Sequence, residues 1–381
     1  MHRLSLLLLL GLATACAGGA ARPAPSSAPA SAGEGPAAAR GSPSTSVGQG
    51  GASAPTASTP SPYLAAPGQQ PRNVKAATCA VTGGFVHLYT AVDAGLFQRY
   101  GLNVEHVMVA GSGPSLAALS AGEVQFLYCA AEATIPGLAS GSDARLVAAP
   151  LVGLPYVLVA RPDIHSVPEL RGRVMAMSRP GQLNDRLVRM VAVKFGLRPN
   201  EDVEIRPTGG GQPEQLQAVL NGMADATAIT APLDAYARKQ GMNIIYDINT
   251  IGLPFVYSAV HATNGLIRDN PQLVQRFVAA MAEAVHFTEK NPEAARASLR
   301  KVLDLDDADA LDSAYQAYAI KHVNRRMTVP LDAVQGGIDY AREQGTQVVK
   351  DAADITTNQF ADDLDRTGFL QQLWGSELPP P

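Results

Sequence analysis

Charge is scarce in this chain. Charged residues fill 17% of its 381 positions, the formal net charge is −4, and no long basic run occurs. Nucleic acid is therefore not an expected partner. Aromatic residues make up 6%, too few to spare for stacking on bases. There are three cysteines, and no Cys/His spacing suits a metal ion. No cysteine cluster, Ser/His/Asp set or pair of carboxylates argues for covalent or hydrolytic chemistry. The apolar run from Leu6 to Leu12, broken only by Gly11, is too short to span a bilayer.

What is present is apolar content, 46% of the residues, over a length greater than one hydrophobic core usually serves. Two lobes are the expectation. At the start, His2 and Arg3 precede the apolar run and small residues follow it, which is the order of a secretory signal over residues 1–15. Cys16 comes directly after Ala13-Thr14-Ala15. This stretch resembles the lipobox of bacterial lipoproteins, whose cysteine becomes the lipidated first residue, although Ala13 stands where that pattern usually has Leu. Lipidation at Cys16 is expected, with ordinary cleavage beside a stray cysteine as the alternative. Ala17 to Pro71 is almost entirely Ala, Pro, Ser, Gly and Thr. Such a composition cannot bury enough apolar surface to offset its ordering entropy, so residues 16–72 are expected to form a disordered, lipid-anchored tether. Cys79 and Cys129 remain, near the ends of two expected strands. The expectation is two buried free thiols, with a disulfide as the alternative in an exported protein.

The globular part is organised around a repeat. Gly111 to Gly141 returns one hundred positions later as Gly211 to Gly241, with Leu116, Ala118, Gly122 and Ala131 matched by Leu216, Ala218, Gly222 and Ala231. Each copy reads as a glycine turn, a helix, a buried strand, a second helix and a closing glycine. Before the first copy, Asn73–Val81 reads as a strand, Phe85–Arg99 as a helix and Asn103–Val109 as a strand. Before the second, Val174–Met177, Gln182–Phe195 and Val203–Arg206 repeat that rhythm. Short loops between alternating strands and helices imply mainly parallel sheets flanked by helices. Gly153-Leu154-Pro155 and Gly252-Leu253-Pro254 each precede an apolar strand without a helix, and these read as two crossings between lobes. The expected division is residues 73–153 plus 258–381 for lobe 1 and 154–257 for lobe 2. The tail reads as helices at Asn270–Lys290, Pro292–Val302, Asp306–His322, Pro330–Gln344 and Gln359–Leu373.

In such sheets ligands bind at the carboxyl ends of the strands, where helix N-termini offer bare N–H groups. In lobe 1 that logic selects Thr82, Gly83, Gly84, Phe85 and His87, then Gly111, Ser112 and Gly113, then Ala130 and Glu132. In lobe 2 it selects Ser178, Arg179, Gly181 and Gln182, then Gly209, Gly210 and Thr230. Glu132 could accept hydrogen bonds from an amine or ring N–H on a ligand; otherwise it serves its own helix dipole. Arg179 could meet an anion or sit solvated on the rim. Tyr156 and Tyr257, each shortly after a crossing proline, could stack on a flat ligand or pack the hinge.

AALSAGEVQF, its second version QAVLNGMADATAI, the segment DAGLFQRYGLNVE and the two crossings together resemble the substrate-binding proteins of bacterial ABC importers. The nearest subgroup is the nitrate/sulfonate/taurine and thiamine-pyrimidine-precursor binders. The resemblance covers about Asn73 to Leu373. It implies a type II periplasmic-binding-protein-like α/β fold, with two lobes closing about a two-strand hinge over a small organic molecule or anion. It also implies a monomer that delivers its ligand to a membrane permease, with no cofactor, no metal and no enzymatic step. A pyrimidine-synthesising family of similar fold carries a cysteine-rich motif and a lysine holding pyridoxal phosphate. Here Lys75 falls in the first strand and no cysteine cluster exists, so that role is not carried over. An exported protein, lipid-anchored at the cell envelope, is the expected setting, and a tethered sensor is the alternative on the same fold.

Overall fold

The structure is a computed structural model that describes residues 61–380. The expected signal, Cys16 and most of the expected tether lie outside the described residues. Among the described residues, ten strands follow in chain order: β1 (Arg72–Thr78), β2 (Leu102–Met108), β3 (Phe126–Ala130), β4 (Ala144–Val152) and β5 (Tyr156–Ala160). Then come β6 (Val174–Met177), β7 (Glu204–Pro207), β8 (Ala226–Thr230), β9 (Asn243–Asp247) and β10 (Val256–Thr263).

They form two five-stranded sheets, ordered β2-β1-β3-β10-β4 and β7-β6-β8-β5-β9. In the first sheet β1 pairs in parallel with β2 and β3, while β10 runs antiparallel between β3 and β4. The second sheet has the same plan, with β6 parallel to β7 and β8, and β5 antiparallel between β8 and β9. The chain leaves the first sheet after β4 and returns to it at β10, so two connections join the sheets. They are bonded to each other, Gly153 N–H donating to the Phe255 carbonyl at 2.8 Å.

The hundred-residue repeat is structural. Helix Ser112–Ser120, β3 and helix Ala131–Ala139 correspond to helix Gln212–Leu220, β8 and helix Leu233–Lys239. Helix Pro271–Lys290 covers the first sheet with Leu273, Phe277, Met281 and Val285, all buried and spaced by four. Phe277 stacks on Phe126 at 3.8 Å and on Phe97 at 5.2 Å between ring centroids. Burial of each such side chain contributes about 1.5–3 kcal/mol.

Several expectations change. The expected helix Phe85–Arg99 is broken into Val86–Asp93 and Leu96–Arg99, because Gly95 adopts φ +66°, a left-handed conformation that ends a helix turn. Gly368, at φ +73°, likewise divides the expected helix Gln359–Leu373 into Gln359–Arg366 and Phe369–Trp374. The tether also ends earlier than residue 72. Tyr63 is buried, its hydroxyl lies 2.7 Å from Asp363 Oδ2 and 2.8 Å from Thr367 Oγ1, and its ring meets Phe369 edge-on at 5.3 Å. Burial holds that phenol up at a pKa of about 12. One aromatic residue docks a stretch whose average composition reads as disordered.

Cys79 and Cys129 form a disulfide, with Cα atoms 5.4 Å apart. The free-thiol expectation is thereby corrected. The physical reason is register: Thr78 of β1 lies opposite Tyr128 of β3 in the parallel ladder, so the residue after each faces the other across neighbouring strands.

Candidate functional site

A cavity of about 760 Å³ lies between the two sheets and their helices. One wall belongs to the first sheet's side: Ser112, the first turn of helix Ala131–Ala139 with Glu132 and Ala133, and helix Leu331–Glu343 with Ala333, Gly336, Gly337 and Tyr340. The opposite wall is the turn Ser178–Gln182, the start of helix Leu183–Lys194 with Asn184 and Arg186, and the turn Gly209–Gln212. Tyr156 and Leu253–Val256, from the two connections, form the floor. The volume suits a small organic ligand.

Small residues shape the first wall. A Cβ on Gly337 would come 2.9 Å from Ile135 Cδ1, so glycine lets helix Leu331–Glu343 approach helix Ala131–Ala139. A Cβ on Gly336 would meet nothing within 4 Å. That position opens into the cavity.

Glu132, Arg179 and Arg186 are the charged side chains on the described cavity wall. Glu132 is partly covered and has no hydrogen-bond or ion-pair partner among the described residues. Burial alone pushes its carboxyl up to a pKa of about 7. It therefore does not spend its charge on a hydrogen bond to its own helix end. Arg179 is exposed on the rim. Arg186 lies over the Tyr340 ring at 4.4 Å, reaching across from the second wall to the first. Neighbouring Asp185 is already engaged, accepting from Gly181 N–H at 2.9 Å and Arg189 Nε at 2.6 Å. Asn184 is buried; its amide donates to the Ala228 carbonyl at 2.6 Å, leaving Oδ1 without a donor.

The turn Gly209–Gly211 is partly occupied by its own chain. Glu214 folds back so closely that a Cβ on Gly210 would lie 2.6 Å from its Cγ. Gln212 Oε1 accepts from both Thr230 N–H, at 2.7 Å, and Thr230 Oγ1, at 3.0 Å.

Of the residues selected by sequence, the structure brings Ser112, Glu132, Tyr156, Ser178, Arg179, Gly181, Gln182, Gly209 and Gly210 to one cavity. Others lie elsewhere. Gly83 and Gly84 are covered by tyrosine rings: a Cβ on Gly84 would sit 2.5 Å from Tyr257 Cε1, and one on Gly83 would sit 2.8 Å from Tyr318. Thr82, Tyr257, Tyr318 and Thr230 instead form a polar knot behind Tyr156, where the Tyr318 hydroxyl donates to the Ala231 carbonyl at 2.8 Å. Phe85 is core, packed on Tyr128 at 5.1 Å. His87 is core too and does not reach the cavity; its Nδ1 is 3.3 Å from the Tyr128 hydroxyl, and burial lowers its pKa to about 3. Gly111 and Gly113 are exposed on either side of Ser112, and Ala130 sits behind Glu132 at the strand end. Sequence reasoning missed Asn184, Arg186, Gln212 and the whole wall contributed by Leu331–Glu343. The first two continue the helix that Gln182 opens, a signal available in the sequence. The last arrives from the tail with no local mark.

The family model described as NMT1/THI5 like matches residues 83–295. A candidate binding protein of Brucella abortus (strain 2308) is 26% identical over 225 residues, covering 58% of this chain and 68% of that protein. Among solved structures, the periplasmic sulfonate-binding protein SsuA of a candidate sulfonate ABC transporter from Methylobacillus flagellatus KT superposes with a TM-score of 0.63 at 19% identity. It covers 81% of this chain and 97% of its own. The periplasmic aliphatic sulphonate binding protein SsuA from Escherichia coli gives 0.61 at 20% identity, over 74% and 93%. The fold is that of these periplasmic binding proteins.

Proposed function

The chain belongs to the NMT1/THI5-like family, and from that premise we propose that it is an extracytoplasmic solute-binding protein of an ABC import system. It captures a small organic molecule in the cavity between its two sheets and presents the closed form to a membrane permease. The lobes that close are residues 73–153 with 258–381, and residues 154–257. The carrying observation is a cavity whose opposite walls come from different sheets, with the chain crossing between them at two connections that are bonded to each other, Gly153 N–H to the Phe255 carbonyl. A ligand that touches both walls shifts an open/closed equilibrium by its differential affinity for the closed state. Binding proteins named for sulfonates among the fold neighbours support the same reading.

Capture rather than catalysis fits the wall chemistry. Among the described residues no histidine, cysteine or lysine lines the cavity that holds Glu132. Lys75 pairs with Glu105 at 3.9 Å on the exposed edge of β1 and β2, away from the cavity, so no lysine on the wall is placed for a cofactor imine. The proposal includes cleavage before Cys16, lipidation there, and work as a monomer held at the cell envelope.

Equilibrium dialysis of the protein against a mixture of small sulfonates, carboxylates, amines and pyrimidines, read by mass spectrometry, tests this. At least one compound is expected to be retained at one per chain. Gly336→Phe should abolish that retention, lowering affinity by about tenfold or more, while leaving the melting temperature unchanged or slightly raised. The side chain fills open cavity space, and a helical glycine is lost. Retention of nothing by the native protein, or equal retention by the filled variant, rejects the reading.

A further inference from the structure

A second cavity, of about 570 Å³, lies at the amino ends of β1 and β2, where Arg72 and Leu102 line it. Among the described residues it shares none with the cavity between the sheets. Its charges are of one sign: Arg72 and Arg276 line it, and no Asp or Glu does. Arg72 Nη1 donates to Asn270 Oδ1 at 3.1 Å, a neutral acceptor that leaves the guanidinium charge unmatched. Gln69 Oε1 accepts from Ala66 N–H at 3.2 Å, which turns its amide nitrogen the other way. That nitrogen and Arg276 Nη1 converge in front of Gly101, at 3.2 and 3.4 Å from where a Cβ would stand. Neither arginine has an ion-pair partner among the described residues, although nearby cations do: Arg99 with Glu283, Lys75 with Glu105 and Arg268 with Asp269. Two guanidinium groups and a primary amide around one hollow suit the oxygens of a phosphate.

The chain enters the fold on the rim of the same cavity. Pro62 and Tyr63 line it, and Tyr63 is pinned there by its contacts with Asp363 and Thr367. Resting on the envelope-anchored reading above, we propose that this cavity binds the phosphate headgroup of an anionic lipid and so holds the first sheet's side against the bilayer surface. An anchor at Cys16 keeps the fold near headgroups, so local concentration fills a site that is weak for a free ion. Ser112, which lines the cavity between the sheets, follows the carboxyl end of β2, whereas the arginine cavity lies at its amino end. Lipid and captured solute therefore occupy opposite ends of the strand.

The mature chain, residues 16–381 with Cys16→Ala so that no acyl chain contributes, is sedimented with vesicles of phosphatidylcholine alone or mixed in equal parts with phosphatidylglycerol. Affinity for the mixed vesicles should be about tenfold or more higher, and Arg72→Gln with Arg276→Gln should remove most of that gain, about fivefold per arginine. Lys194→Gln with Lys321→Gln removes the same charge at exposed positions elsewhere and should leave affinity within about twofold. Circular dichroism confirms that the variants are folded. Hydrogen exchange tests the site without a variant: mixed vesicles should protect residues 63–72 and 272–276 of the native sequence. Equal affinity for both vesicle types, an equal loss in the two double variants, or protection only elsewhere overturns the inference. If inorganic phosphate at about 10 mM protects these segments as fully as the vesicles do, the source is the free ion and the lipid assignment falls. None of these outcomes bears on capture between the sheets, which the dialysis decides separately.

Discussion

Glu132→Gln is expected to stabilise the ligand-free protein at about pH 8 and to leave its stability unchanged at about pH 4. The native carboxyl titrates near 7, against 4.5 for an ordinary glutamate, because burial disfavours its charged form. As pH rises between these values, the unfolded chain has released a proton that the native chain still holds. Native stability therefore falls with rising pH through that window and is level above it. Glutamine removes this dependence. With allowance for solvent reaching a partly covered side chain, the difference at high pH is roughly 1–3 kcal/mol. In a chain of this size that amounts to about 2–4 °C in melting temperature. Melting curves across the pH range check it. A parallel shift at all pH values, or a variant less stable at high pH, contradicts the assignment of Glu132 as an uncompensated acid kept for a ligand.

Loss of the disulfide should have a larger effect. Cys79 and Cys129 are separated by 50 positions, and releasing a loop of that size costs about 4 kcal/mol by the chain-entropy model. Both cysteines are buried, so no solvent contact offsets the loss. Cys79→Ala with Cys129→Ala should accordingly lower unfolding free energy by about 4 kcal/mol in denaturant titration, with little change in the fold. The consequence reaches the site. Thr82 stands three residues beyond Cys79, and Glu132 three beyond Cys129, so the bridge fixes the two strand ends from which the polar knot and the acidic wall project. A double variant with unchanged stability contradicts this account of the bridge.

Much of the scaffold was legible because it is local. Alternating strands, glycine turns and helices fix the doubled unit. Its constant offset survives in the structure, where Phe126–Ala130 and Ala226–Thr230 are equivalent strands. The turns at Ser178–Gln182 and Glu132 were legible for the same reason: a strand end followed by a helix start points its polar groups outward. The turn at Thr82–Phe85 carries the same local signal and fails as a cavity wall. Tyr257 and Tyr318 close over it from distant parts of the chain, and no spacing near Gly84 encodes that. Tyr318 stands on a π-helix, Gln316–Lys321, within what reads as one continuous helix from Asp306 to His322. This departure from α-helical register sets where its ring points. The wall from Leu331–Glu343 is illegible for a related reason. Its cavity face, Ala333, Gly336, Gly337 and Tyr340, has the spacing of any packed helix, and only its partner across the cleft gives it meaning.

The central claim is that one ligand is held by both sheets at once. Hydrogen exchange, measured with and without a compound selected by dialysis, tests it most directly. Protection is expected together at Ser178–Arg186 on one wall and at Glu132–Pro136 and Ala333–Gln344 on the other. Protection confined to a single wall, or found only on an outer surface, would contradict the account.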